Sequence, residues 1–156
     1  MCCFHKIQIQ TSNGSLDTLT IKVEYVLPPS NDSYNTLGVG LWDPVPARLT
    51  VSGVGFHGRV FVGGDMFEAL IALRKELEKT GCLLLCVGGR VDAYASGMCR
   101  EMGGAGKVYI TQLGKHATKL FDIFGKAKPE TCGTVEQQKE FHRKWVCSLD
   151  KLRKLP

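Results

Sequence analysis

The spacing of apolar residues changes along this chain at Gly63–Gly64. Before that pair, apolar and polar residues alternate in several segments, which is typical of β-strands with one buried face. After it, Asp65 and Glu68 have the spacing of a helix N-cap and its third residue. We therefore predict a helix over 65–80 that turns its charged residues, Arg74 among them, toward solvent. It buries four apolar residues at helical spacing: Met66, Leu70, Leu73 and Leu77.

The chain before this helix is predicted to form four strands, which cover residues 4–10, 19–27, 48–54 and 56–62. The Asn13–Gly14 pair marks a turn between the first two strands. Residues 28–47 contain four prolines and no apolar period, so we expect a surface loop there. Trp42 is expected to pin that loop to the core.

After the helix, the apolar run 82–87 predicts a strand inside a sheet, with residues 107–113 as its partner strand. Residues 119–124 fit either a short strand or a single helical turn. Thr134 and Gln137 begin a last helix that ends near Lys154.

This order of elements favours an α+β fold, with a mainly antiparallel β-sheet covered by two helices. We expect a single domain over residues 1–156. Residues 1–62 form its β-rich part, and residues 63–156 supply the first helix, strands with a Gly-rich loop, and the C-terminal helix.

The Gly-rich loop 88–106 contains six glycines and few features of regular structure. Ordering such a loop is entropically costly, so loops of this kind are usually functional. Its polar residues are candidates for a small enzyme or ligand-binding site: Arg90, Asp92, Ser96 and Arg100. Against catalysis, no histidine has a metal-binding or nucleophile–base spacing, and Lys107 is followed by Val108 instead of the hydroxyl residue of a phosphate-binding loop.

The net charge of +5 arises entirely after Gly64, because residues 1–64 carry four basic and four acidic side chains. A basic C-terminal half suits an acidic protein surface or a phosphate backbone. An RNA-binding module is a third interpretation, in which basic residues surround Tyr94 and Tyr109. Nucleic acid is the less favoured partner because Asp92 and Glu101 interrupt the basic patch.

The seven cysteines are an odd number, and none has the spacing of a zinc site. We therefore expect no metal, no cofactor and no structural disulfide. The chain has no apolar run of the ~20 residues that span a bilayer. It also lacks the charged and apolar start of an export signal. The sequence thus predicts a cytoplasmic protein that does not bind membranes.

Three stretches resemble a group of short bacterial proteins that share an S-G-M-x-R-x-M-G-G element and a T-V-x-x-Q element. Here these elements begin at Ser96 and Thr134, and GDMFEALIALRKELEKTG begins at Gly64. This chain departs from the pattern at Ala105, where the group has a third glycine. The group is similar to immunity proteins of contact-dependent growth inhibition toxin systems.

That resemblance implies a non-enzymatic cytoplasmic protein that binds the C-terminal toxin domain, of nuclease type, from a sibling cell. We expect its contacts among Arg90, Asp92, Tyr94, Arg100 and Trp42. Reversing the charge of Arg100 should then weaken binding without changing the melting temperature. In the alternative interpretation, the loop only closes the fold, and Met98 and Met102 plug a sheet edge.

Overall fold

A computed structural model describes residues 2–26 and 46–153 of the chain, without the side chains of the last two. Trp42, Lys154 and all but the last two residues of the loop predicted at 28–47 lie outside the described residues. Within these ranges, the protein is a single α+β domain with a mainly antiparallel five-stranded sheet, so the predicted fold class is confirmed.

The predicted β-rich part forms the main sheet, whose strand order is β4-β3-β2-β1-β5. Its first four strands are β1 (Cys2–Gln10), β2 (Leu16–Tyr25), β3 (Ala47–Gly53) and β4 (Phe56–Gly63). Each pairs antiparallel with its neighbour. Because side chains alternate along a strand, one face carries the core. The core residues on that face include Ile7, Ile9, Leu19, Ile21, Leu49 and Val51.

Helix α1 (Met66–Glu78) packs against this face, and its predicted cap is confirmed. The Glu68 backbone N–H donates to Asp65 Oδ1 at 2.9 Å, and the Gly64 N–H donates to the Glu68 carboxylate at 3.1 Å. The four predicted apolar residues are buried. The prediction for Arg74 is wrong, because its side chain is only 2% exposed.

The predicted strand at 82–87 is largely wrong. Only β5 (Leu83–Leu84) pairs with β1, and the chain then enters a short 3-10 helix at Val87–Gly89. Close packing requires a glycine in this turn, because a Cβ on Gly88 would overlap the Leu70 side chain.

The predicted partner strand at 107–113 belongs to a second sheet. There β7 (Lys107–Ile110) lies between β6 (Ala93–Tyr94) and β8 (Leu120–Asp122), and both pairings are antiparallel. The segment that periodicity left open at 119–124 is therefore a short strand.

The Gly-rich loop 88–106 also contains regular structure that was not predicted, namely β6 and helix α2 (Gly97–Gly103). Ser96 caps α2, because its Oγ accepts the Cys99 N–H at 3.2 Å. Gly104, with φ of 56°, ends the helix in the left-handed conformation that glycine adopts without strain. A seven-residue helix spans only two turns, so one pair of apolar residues at helical spacing is too short a pattern to predict a helix.

Helix α3 (Val135–Arg153) begins with the predicted capping box. Thr134 Oγ1 accepts the Gln137 N–H at 3.2 Å, and Gln137 Oε1 accepts the Thr134 N–H at 2.9 Å. The helix packs against α1. Arg74 bridges the two helices by donating to Gln138 Oε1 at 2.8 Å.

Candidate functional site

Arg100 is partly buried and is bound by neighbouring residues of the domain. Its guanidinium Nη1 donates to Asp65 Oδ2 at 2.8 Å and lies 3.5 Å from Glu68 Oε1. The guanidinium carbon lies 5.2 Å from the centre of the Phe67 ring, and Nε donates to the Ala95 carbonyl. The ion pair joins α2 to the start of α1, with the Asp65 carboxylate buried and the Arg100 guanidinium partly exposed. Arg100 therefore has a structural role, and its role as a partner contact stays a prediction.

This geometry changes the result that we expect from reversing the charge at Arg100. Arg100→Glu places a second carboxylate beside the buried Asp65 carboxylate, and it removes the guanidinium from the Phe67 ring. We expect the free energy of unfolding to fall by about 2–4 kcal/mol, somewhat less than for a fully buried ion pair because Arg100 is partly exposed. Urea titration followed by circular dichroism measures the change.

The matched control for this variant is Lys139→Glu, which reverses an exposed charge on α3. Surface substitutions usually change stability by less than about 0.5 kcal/mol. Equal stabilities of the two variants would contradict the structural role of Arg100.

Arg90 and Asp92 bind one another. Arg90 Nε and Nη2 donate to the two carboxylate oxygens of Asp92, each at 2.8 Å. These hydrogen bonds raise the pKa of Arg90. The Arg90 carbonyl accepts Gln138 Nε2 at 2.7 Å. The four polar residues proposed for a small-molecule site therefore do not form one cluster of contacts. Arg90 and Asp92 bind each other, whereas Ser96 caps α2 and Arg100 binds Asp65.

Tyr94 belongs to an aromatic cluster that joins β6 to α3. Its ring stacks on His142 with a centroid distance of 4.4 Å and lies 5.6 Å from the ring of Trp145. Trp145 Nε1 donates to the Lys115 carbonyl at 2.9 Å. Burial lowers the pKa of His142, whose Nδ1 is buried without a hydrogen-bond partner.

Of the predicted contact residues, Trp42 lies outside the described residues.

A groove of about 470 Å³ lies between α2 and the second sheet, and we call it the α2 groove. It combines four large apolar side chains with one cation and one anion. The principal residues that line it are Met98, Met102, Tyr109, Leu120, Lys107 and Asp122.

The helix side of the α2 groove is formed by two methionines that sequence analysis did not assign to a site. Met98 and Met102 are four residues apart, so they lie on one face of α2. Their exposed fractions are 69% and 68%, respectively. The alternative interpretation expected these methionines to plug a sheet edge, and their exposure contradicts it. Their spacing within the S-G-M-x-R-x-M element was the signal for this apolar face.

The sheet side of the α2 groove follows from strand register. Tyr94 pairs with Tyr109, and Tyr109 pairs with Leu120, so these side chains form a row on one face. Lys107 and Asp122 are opposite each other two residues further along β7 and β8, so their side chains lie on the same face. Residues directly opposite each other in an antiparallel pair have adjacent side chains. The sheet side of the α2 groove therefore carries an apolar row of side chains beside a charged pair.

The loop behind the α2 groove is held against the main sheet. A Cβ on Gly104 would lie 2.9 Å from Tyr25 Cε1, and one on Gly106 would lie 2.8 Å from Tyr25 Oη. The Met66 N–H also donates to the Gly104 carbonyl at 2.9 Å. Together with the ion pair between Arg100 and Asp65, these contacts fix α2 on the rest of the domain.

The thiols differ in their surroundings. All seven cysteines are free. Burial raises the pKa of the Cys86 thiol to about 12, and it also raises the pKa of Cys132. Both thiols therefore stay protonated at neutral pH. Cys99 lies in the wall of the α2 groove, where Ser96 Oγ donates to its sulfur at 3.2 Å.

Across residues 2–26 and 46–153, no three His, Cys, Asp or Glu side chains are grouped as metal ligands. No helix in the described ranges is long and apolar enough to cross a membrane. Comparison of the chain with protein-family models gives no match, and comparison with curated protein sequences gives none either.

Proposed function

We propose that this chain is a non-enzymatic binding protein that neutralises a cognate bacterial toxin domain by docking through the α2 groove. The observation that carries the proposal is the pair of exposed methionines facing the Tyr109–Leu120 row across that groove. Exposed apolar surface of this kind commonly marks interaction sites. Methionine is frequent at such sites because its flexible thioether adapts to a partner surface.

The rigidity of the support favours docking over incidental exposure of these methionines. A binding site gains affinity when its residues are held in the bound geometry before the partner arrives. Here the Arg100–Asp65 pair holds one side of α2, and Tyr25 packs against the glycines that follow it. The resemblance of the S-G-M-x-R-x-M-G-G element to immunity proteins supports the choice of a toxin as partner.

The test uses the domain encoded beside the gene of this chain. Calorimetric titration should give stoichiometric binding, and cells that express the domain should grow only when this chain is present. The double variant Met98→Gln and Met102→Gln keeps the side-chain length but makes it polar. We expect its affinity to fall about tenfold to a hundredfold, as for residues at the centre of an interface.

Val146→Thr is the matched control, because it makes an exposed apolar residue of α3 polar without changing its shape. We expect its affinity and growth protection to equal those of the wild type. Absence of binding and protection by the wild-type chain would contradict the proposed function. Strong binding that the methionine variant retains would place the interface elsewhere.

The dimensions of the α2 groove favour one second candidate function, which is binding of a small apolar ligand. Its volume of about 470 Å³ lies within the range of small-molecule pockets. A ligand of this kind would raise the melting temperature of the isolated chain, and the methionine variant would abolish that shift. If the chain neutralises a toxin, the result that separates the two functions is the growth protection described above, which depends on the partner domain.

A further inference from the structure

The edge strand β8 has a cavity on each face. Leu120 and Asp122 line the α2 groove, whereas Phe121 lines a second cavity of about 250 Å³. This division follows from the alternation of side chains along a strand. Lys107 lines the first cavity, and Lys115 and Lys119 line the second. Cations therefore surround β8 on both faces of the second sheet.

The charge around β8 is strongly unbalanced. Residues 107–128 contain five lysines and a single acidic residue, Asp122. All five lysines are exposed, and no ion pair within the described ranges involves them. On the α2 side, the nearest exposed acid in sequence is Glu101. We call the three lysines that line these two cavities the lysine surface: Lys107, Lys115 and Lys119.

We infer that the partner presents an acidic protein surface with an apolar anchor to the lysine surface and the α2 groove. This inference rests on the proposed function for the identity of the partner. Its physical basis is charge complementarity, since facing surfaces of like charge cost several kcal/mol whereas opposite charges speed association and fix the docked orientation. The methionines and Leu120 supply the apolar contact between these charges.

The walls of the α2 groove favour a protein over a nucleic acid as the acidic partner. Single-stranded nucleic acids bind on rows of aromatic side chains, where the bases stack. In the α2 groove, two flexible thioethers face Tyr109 and Leu120, so most of the wall suits apolar side chains.

A consequence concerns how the toxin is blocked. The resemblance to immunity proteins implies a toxin domain of nuclease type. Such a domain binds the phosphate backbone through lysine and arginine, so its substrate cleft is basic. That cleft would repel the lysine surface. The chain therefore covers an acidic surface of the toxin domain that lies outside any phosphate-binding cleft.

The first experiment measures fluorescence anisotropy with three labelled probes and the wild-type chain. The probes are a Glu-rich peptide with a central Leu-Phe anchor, the same peptide with every Glu replaced by Lys, and a single-stranded DNA of equal charge. We expect only the Glu-rich peptide to bind well. Its affinity should fall as salt rises past ~0.1 M, where the Debye length is about 10 Å.

The double variant Lys107→Glu and Lys119→Glu should weaken binding of the Glu-rich peptide at least about tenfold, because two attractive charges become repulsive. The control is Lys139→Glu with Lys151→Glu, which changes the net charge equally on α3 and should bind like the wild type. Thermal melts should show that both variants are folded. Preference for DNA or for the Lys-rich peptide, or equal binding by both variants, would overturn the inference.

The second experiment adds single-stranded DNA to the complex of this chain with the domain encoded beside its gene. We expect no release of the chain, because the inferred contact lies outside a phosphate-binding cleft. Release of the chain by DNA would overturn that conclusion. These outcomes are separate from the proposed function, which fails if the wild-type chain neither binds that domain nor protects cells.

Discussion

Replacing Arg74 with alanine is expected to lower the free energy of unfolding by about 2–5 kcal/mol, because it leaves buried acceptors without their donor and opens a cavity. Arg74 donates to the Gly88 carbonyl at 3.2 Å, to the Gly133 carbonyl at 3.0 Å and to Gln138 Oε1 at 2.8 Å. The substitution removes this donor from the Gly133 carbonyl and from Gln138 Oε1, whereas the Gly88 carbonyl still accepts a hydrogen bond from Gln138 Nε2. It also leaves a cavity between α1 and α3. An unsatisfied buried acceptor costs about 1–3 kcal/mol.

Arg74 is unusual because these partners are uncharged. No ion pair within the described ranges involves Arg74. Burial lowers its pKa, although an arginine remains protonated at neutral pH. A lysine offers one nitrogen in place of the planar guanidinium, so Arg74→Lys should also be destabilising. The three acceptors thus require arginine itself.

Urea titration of Arg74→Ala, Arg74→Lys and the wild type tests this expectation. For a domain of this size, a loss of about 4 kcal/mol lowers the melting temperature by on the order of 10 °C. Arg143→Ala is the matched control, because that arginine is exposed and makes only surface ion pairs. Its effect should stay below about 1 kcal/mol. If Arg74→Ala were as stable as the control, the buried cluster would have no structural role.

Leu73→Ala is expected to cost about 2–5 kcal/mol through lost burial and a residual cavity. Leu73 is fully buried among the apolar residues of α1 that face the main sheet. Its neighbours in the core come from both α1 and the strands, and a packed core relaxes only in part around a missing side chain. The cost should therefore exceed that of any exposed substitution on the same helix.

Chemical denaturation of Leu73→Ala beside Lys75→Ala measures the difference. Lys75 lies on the exposed face of α1, so its truncation should change stability by less than about 0.5 kcal/mol. Two variants of equal stability would show that α1 does not bury this face against the sheet.

The elements whose sequence pattern or helix cap lies within the element itself were predicted correctly from sequence. Strands β1 to β3 each carry an alternation that lies within the strand, and α1 and α3 each carry a cap within four residues of their start. Such signals depend on the period of the backbone and on hydrogen bonds between near neighbours. They do not require knowledge of what packs on the other side of the element.

The burial of Arg74 and the ion pair of Arg100 were decided by residues far away in the chain. Arg74 looks like a solvent-facing residue of an amphipathic helix, but α3 covers that side of α1 and supplies Gln138, 64 residues later. Arg100 pairs with Asp65, 35 residues earlier. A sequence period shows which face of a helix is apolar, but not whether a second element covers the polar face.

The α2 groove likewise depends on tertiary structure. The sequence alone determined the α+β class, the capped helices and the presence of a distinctive Gly-rich segment. Only the tertiary structure assigned β7 to a second sheet and placed Met98 and Met102 opposite Leu120. The physical reason is that α2 and β6 are too short to be stable alone, so packing against Tyr25, Asp65 and the rest of the domain determines their positions.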